Sequence, residues 1–141
     1  MCAGSDIMSR IDDAMNYKNM GFNCTQAVLK AYSDLTGLDY EVLGKIGSGF
    51  GIGMGCLEAT CGSLIGANVI LGLLNNDPRK RTMTYSAGML NKFKDMAGHT
   101  QCKVLKGIET GKVLCPCIDC VKYACMSLEE TLEEAGIKID A

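Results

Sequence analysis

Cysteine is the residue type through which this chain could do chemistry. Nine of its 141 residues are cysteine, and several fall where a helix should begin. Cys24 follows Asn23, a good capping residue, Cys102 lies two positions after Thr100, and Cys117 follows Pro116. Free N–H groups and the helix dipole favour a thiolate at such places, bringing a thiol from about 8.5 toward 7 or below. Cys117 and Cys120 are three apart, hence near neighbours on a helix. The run Cys115-Pro116-Cys117 with Cys120 has ligand-like spacing, but it lacks the second pair of a zinc ribbon and the βαβ setting of a thioredoxin site. Cys125 lies about 140° around the helix from Cys120 and reads as a small core hydrophobe. Cys2 falls on the terminus.

The cysteine count also bounds the setting. It stays below the roughly 8–10% of secreted disulfide scaffolds, and an odd number leaves at least one thiol unpaired. The opening residues, Met1-Cys2-Ala3-Gly4-Ser5-Asp6, show no basic stretch leading into an apolar run. A reducing, cytoplasmic setting is therefore expected, where cysteines more often bind metals or catalyse redox steps than staple a fold. A net charge of −2 gives no electrostatic footprint for nucleic acid. Arg79-Lys80-Arg81 reads as a solvated helix start before it reads as a phosphate site. His99, the only histidine, follows a glycine at a helix end. It suits a dipole partner better than the base of a Cys–His hydrolase. Glu129, Glu130, Glu133 and Glu134 read as a solvated acidic face.

Glycine alternates at positions 47, 49, 51, 53 and 55. That register never produces Gly-x-Gly-x-x-Gly, and no strand precedes it, so a dinucleotide-binding loop is excluded. Residues 107–112 also miss the phosphate-loop spacing, with Val113 where Ser or Thr is needed. The glycines then mark either a chain packed against other backbone or a close approach to a cofactor, with Gly49, Gly51, Gly53 and Gly62 as candidate contacts.

The elements that must position these residues read as helices throughout. Punctuation predicts helices over about residues 6–20, 24–36, 39–46, 57–74, 78–98, 100–105 and 117–135. The first carries Ile7, Met8, Ile11 and Met15 on one stripe. Asn23 and Gln26 form a capping box for the second, which turns Ala27, Val28, Ala31, Tyr32 and Leu35 inward. Asp77-Pro78 opens the fifth, with Met83, Ala87, Leu90 and Phe93 facing in. Val121, Cys125, Leu128, Leu132 and Ala135 form the buried stripe of the last. Residues 59–74 are uncharged but shorter than the roughly 20 a membrane span needs. On that helix Gly62 and Gly66 permit close backbone packing, while Asn68 shares a face with Cys61 and could line the same pocket or cap a neighbouring loop. The expectation is one all-α domain over residues 1–141, a compact bundle of six or seven helices around a buried Gly/Ala-rich central helix.

Two stretches carry a family resemblance: Gly21-Phe22-Asn23-Cys24-Thr25-Gln26-Ala27-Val28, and the glycine-rich run ending in Cys61-Gly62-Ser63-Leu64-Ile65-Gly66-Ala67. Over roughly residues 15–125 the chain resembles the C_GCAxxG_C_C family of redox-active proteins, named for four cysteines and a CGAxxG motif. The resemblance implies Cys24, Cys61, Cys102 and Cys120 as the four, with Cys117 competing for the fourth place. Ser63 stands where the motif has alanine. Cys56, Cys115, Cys117 and Cys125 are additions to the pattern.

Three functions follow from these residues. In the first, the four cysteines converge for thiol–disulfide or electron-transfer chemistry, as in a thiol-dependent oxidoreductase. Cys24 is then the expected nucleophile, and the partner is a redox protein or a small thiol or disulfide. In the second, the same four, with Cys115 and Cys117 as auxiliaries, hold zinc or an iron–sulfur cluster. In the third, which the resemblance implies, the chain is a small cofactor-binding or transport-associated accessory protein. Apolar surface on short helices makes a homodimer plausible.

Overall fold

A computed structural model describes residues 9–77 and 79–139. Asp6, Ile7, Met8, Cys2 and Pro78, named above, lie outside those residues. The fold is all-α. Among the described residues the helices are α1 (Arg10–Asn19), α2 (Cys24–Ala31), α3 (Ser33–Thr36), α4 (Tyr40–Gly47), α5 (Gly62–Leu74), α6 (Thr82–Ala97), α7 (Cys102–Leu105) and α8 (Cys117–Glu134), with a π-helical turn at Gly53–Leu57. The expected second helix is split, because Tyr32 leaves helical geometry and a single turn, α3, follows it. No helix among the described residues is long and apolar enough to cross a membrane.

Local chemistry sets the start of α2, and with it the position of Cys24. Asn23 Oδ1 accepts from Gln26 N at 2.8 Å, and Gln26 Oε1 accepts from Asn23 N at 3.1 Å. The same two side chains reach α4: Asn23 Nδ2 donates to Gly47 O at 3.2 Å, and Gln26 Nε2 donates to Gly44 O at 3.0 Å. One capping box therefore ends one helix's orphan donors and fastens the neighbouring helix to it.

Helix α5 packs against α2, α6 and α8. Its buried Gly62 and Gly66 lie against α2: a Cβ on Gly62 would stand 2.6 Å from Thr25 Oγ1, and one on Gly66 2.9 Å from Thr25 O. Thr25 Oγ1 also donates to Gly62 O at 2.8 Å. The core that results joins Val28, Leu29 and Tyr32 of α2 and its end, Leu64, Ile70 and Leu71 of α5, Met89 and Phe93 of α6, and Val121, Leu128 and Leu132 of α8. Burying such side chains contributes roughly 1.5–3 kcal/mol each before conformational entropy is charged against them.

Several expected boundaries are corrected. Helix α5 begins at Gly62, five residues after Leu57. Leu57 adopts a left-handed φ of 70°, as do Ile52 and Met54 nearby. Beyond the turn the chain leaves helical pairing, with Thr60 bridging to Gln101, Cys61 N donating to Thr100 O at 2.7 Å and Cys102 N to Ala59 O at 3.0 Å. Helix α6 begins at Thr82 because Asp77 instead closes a turn, its Oδ1 accepting from Arg79 N at 3.0 Å. Its buried stripe is Met89, Phe93 and Ala97, with Leu90 half-buried, while Met83 and Ala87 face solvent. In the short helix α7 the capping position is Gln101, and Thr100 contributes its carbonyl to Cys61. The acidic face of α8 is also incompletely solvated, since half-buried Glu129 accepts a hydrogen bond from the buried Tyr32 hydroxyl.

Candidate functional site

Helix starts bring the thiols together. Cys24 is the first residue of α2, Cys117 the first of α8, and Cys120 lies one turn further on. Cys61 occupies the residue that precedes α5, and Cys102 is held beside it by the Thr60–Gln101 bridge. Cys115 is pinned by its N–H, which donates to Leu105 O at 3.1 Å. These six cysteines, with Lys18 and Lys106, line one cavity of about 170 Å³. All eight described cysteines are free thiols.

Within the cavity the sulfurs act on one another: Cys24 on Cys117, and Cys120 on both Cys61 and Cys115. In Cys24–Cys117 and in Cys61–Cys120 one member ionises readily and the other keeps its proton. Cys117 is lowered to about 5, first by the hydrogen bond from Cys24 and then, against burial, by the Lys106 ammonium. Cys24 is pushed up correspondingly, by donating to Cys117 and by burial. Cys61 is lowered to about 7 by the hydrogen bond from Cys120, and then by the Ser63 side chain and the N–H groups of Ser63 and Leu64. Cys120 is pushed up by its bond to Cys61 and by burial. Its Sγ also lies 3.5 Å from Cys115 O, an alternative acceptor for the same proton.

This arrangement reverses two expectations. Cys24 and Cys102 begin helices, yet both are raised. Cys24 spends its proton on Cys117. Cys102 is dominated by burial, and the single turn it opens has too few aligned peptides for a useful dipole. The half-buried Cys117, expected as an auxiliary or as a rival of Cys120 for the fourth place, is the thiol best placed to be ionised and reached.

Ser63 is fully buried with its hydroxyl 3.0 Å from Cys61 Sγ and 3.1 Å from Cys120 O. A hydroxyl has one proton, so it donates to the carbonyl while Cys61 is a thiol and can turn to the sulfur once Cys61 ionises. Ser63 thus links the two members of the Cys61–Cys120 pair.

The remaining expected residues fall elsewhere. Gly62 lines the cavity; Gly49, Gly51, Gly53 and Asn68 do not. A Cβ on Gly51 would stand 2.5 Å from Asn23 Cβ, and one on Gly53 2.9 Å from Cys102 Cβ. Those two glycines pack backbone against neighbours, while Gly49 is exposed. Asn68 is exposed on α5. The face it was assigned with Cys61 assumed a helix running through position 61, and seven residues also separate the two by about 10 Å along the axis. Cys56 is exposed and away from the cavity. Cys125 is buried and pushed up to about 12 by desolvation, consistent with a packing role. His99 does not line the cavity; its Nδ1 accepts from Gln101 N at 3.0 Å. Lys18 and Lys106 carry no sequence signal for a site, since neither lies at motif spacing from a cysteine.

Whether these thiols fit a metal follows from their grouping. Among the described residues no three His, Cys, Asp or Glu side chains stand close enough together to hold a metal ion. The four-thiolate set expected for zinc or a cluster is therefore not assembled among the described residues.

Residues 22–131 match the family model described as "Putative redox-active protein (C_GCAxxG_C_C)". The chain belongs to this family. No curated protein and no solved structure matches it.

Proposed function

We propose that this member of the C_GCAxxG_C_C family carries out thiol–disulfide exchange, with Cys117 as the attacking thiolate and Cys24 as the resolving thiol. The observation that carries this reading is the placing of Cys24, Cys117 and Lys106 against one cavity, with Cys117 half-buried and Cys24 covered. The Cys117 thiolate attacks one sulfur of a substrate R–S–S–R, forming a Cys117–S–R bond and releasing R–S⁻. Cys24 then attacks Cys117 Sγ, giving up its proton to the departing sulfur. The protein gains a Cys24–Cys117 disulfide and loses two electrons; the substrate leaves as two thiols, one ionised. A reducing thiol running the same steps backwards restores the dithiol. Cys61 and Cys120 form a second pair against the same cavity.

The acidity of Cys117 has a specific consequence. At pH 7 it raises the thiolate fraction about 30-fold over an ordinary thiol of pKa about 8.5. Lower basicity costs a similar factor in nucleophilicity, at a Brønsted slope of about 0.4–0.5. The shift therefore extends exchange toward pH 5 and makes Cys117 a good leaving group, with little change in attack rate at pH 7.

The test is exchange with a small disulfide by the reduced protein and its variants, alongside metal analysis of anaerobically purified protein. Cys117→Ser should abolish exchange, and Cys24→Ser should accumulate a mixed disulfide on Cys117 visible by intact mass. Full exchange in Cys117→Ser overturns the assignment. Stoichiometric zinc or iron bound through these thiols replaces exchange with the metal-binding reading.

A further inference from the structure

The cationic side chains around the cavity define the charge of its substrate. Lys18 and Lys106 both line it, and no Asp or Glu among the described residues does. Their neighbour Lys103 is already paired, with Glu58 at 3.1 Å and Glu109 at 3.6 Å. Neither Lys18 nor Lys106 forms an ion pair with a carboxylate among the described residues. Lys106 and Lys18 instead stand near enough to act on Cys117 through their charge, and Lys18 on Cys24 as well. The Cys117 thiolate offsets one ammonium charge, and Cys61, lowered to about 7, offsets the other only in part at neutral pH. Attack then removes the Cys117 charge, so a Cys117–S–R intermediate leaves the two cations facing at most the Cys61 thiolate.

We propose that the cavity is built for a small anionic disulfide, one carrying a carboxylate close to its sulfurs, which Lys18 and Lys106 receive as Cys117 forms the mixed disulfide. The inference rests on the exchange reading above and names its substrate class. A volume of about 170 Å³ admits a few non-hydrogen atoms, enough for one half of such a molecule. A carboxylate there meets two cations in a partly desolvated site, where charge attraction is stronger than in water. The same field favours release of the first product as a thiolate.

The experiment uses the full-length reduced protein in single turnover with three probes: dithiodiglycolate, a dianion; 2-hydroxyethyl disulfide, neutral; and cystamine, a dication. Each rate is divided by that of a small free thiol with the same disulfide, which removes intrinsic leaving-group differences. The dianion should exceed the dication about tenfold at low ionic strength, and the ratio should fall toward one in 0.5 M salt, as it must for a charge effect of about this size. Lys18→Gln should reduce the ratio severalfold. Equal normalised rates for all three probes, or a ratio untouched by both salt and Lys18→Gln, overturns the inference while leaving exchange intact. No exchange with any probe sinks the exchange reading, and this inference with it.

Discussion

Replacing Ser63 by alanine isolates a single hydrogen bond to a thiolate. Ser63 Oγ lies 3.0 Å from Cys61 Sγ and 3.1 Å from Cys120 O, in a fully buried position. The larger influence on Cys61, the hydrogen bond from Cys120, and the N–H groups of Ser63 and Leu64 all survive the substitution. A hydrogen bond to a charged group contributes about 1.5–3 kcal/mol, and a neutral one about 0.5–1.5. With Cys61 protonated, the Ser63 proton is used on the Cys120 carbonyl; with Cys61 ionised, it must leave that carbonyl for the sulfur. Only the difference, about 1 kcal/mol, favours ionisation. At 1.36 kcal/mol per pH unit, Ser63→Ala should raise the Cys61 midpoint from about 7 by about 0.7 pH unit. The assay is site-resolved alkylation with iodoacetamide across pH, read by peptide mass spectrometry. An unchanged midpoint, or one moved downward, refutes the idea that the Ser63 proton follows the charge. A rise of two units or more would show that the Cys120 carbonyl never competes for it.

Other predictions follow from the same geometry. Cys117 should alkylate with a midpoint near 5: because ionisation is favoured in the fold, reactivity is full above that pH and lost as pH falls through it. A midpoint near 8.5–9, the ordinary range of a cysteine, would remove Cys117 from its assigned role. Gly62→Ala should destabilise the fold by about 1–3 kcal/mol, read as a lower urea midpoint. Its Cβ would stand 2.6 Å from Thr25 Oγ1 and 3.2 Å from Phe50 O; an unchanged midpoint would show that α2 and α5 can separate freely. Tyr32→Phe, which removes the hydrogen bond to Glu129, should cost about 1–2 kcal/mol because Glu129 is partly solvated. No loss in urea denaturation would place that contact among the energetically silent ones.

Much of the fold was legible because its signals are local. Asn23 and Gln26 declare a helix start within four residues, and the capping box is present. The stripe Val121, Cys125, Leu128, Leu132 and Ala135 is buried as its spacing requires, with Gly136 at a φ of 77° beyond it. Sequence reading failed where distant backbone decides. Nothing near Leu57 announces that Thr60 will bridge to Gln101, yet that bridge keeps residues 58–61 out of the helix. The error propagated to Asn68, whose partnership with Cys61 presumed a continuous helix. Met83 was misplaced for a related reason: its helix begins four residues later than Asp77-Pro78 suggested.

The site separates what a helix end can do from what a partner does. Cys24, Cys102 and Cys117 each open a helix, and the sequence treats them alike. Position at a helix end typically shifts an ionisation by 0.3–1 kcal/mol, less than about one pH unit. Burial and a hydrogen bond to a neighbouring sulfur each exceed that, and they act differently at the three places. Cys24 is covered and donates its proton, Cys102 is covered and lacks a compensating sulfur bond, and Cys117 is half-open, receives a proton and faces Lys106. Cys61 makes the same point: it caps α5, where the Ser63 and Leu64 N–H groups help to lower it, yet the larger influence is Cys120. A thiolate in this fold is therefore specified by which second thiol lies beside it, and such pairs are set by packing between α2, α5 and α8. Counting cysteines in the chain finds the chemistry; only the contacts between helices say which sulfur carries the charge.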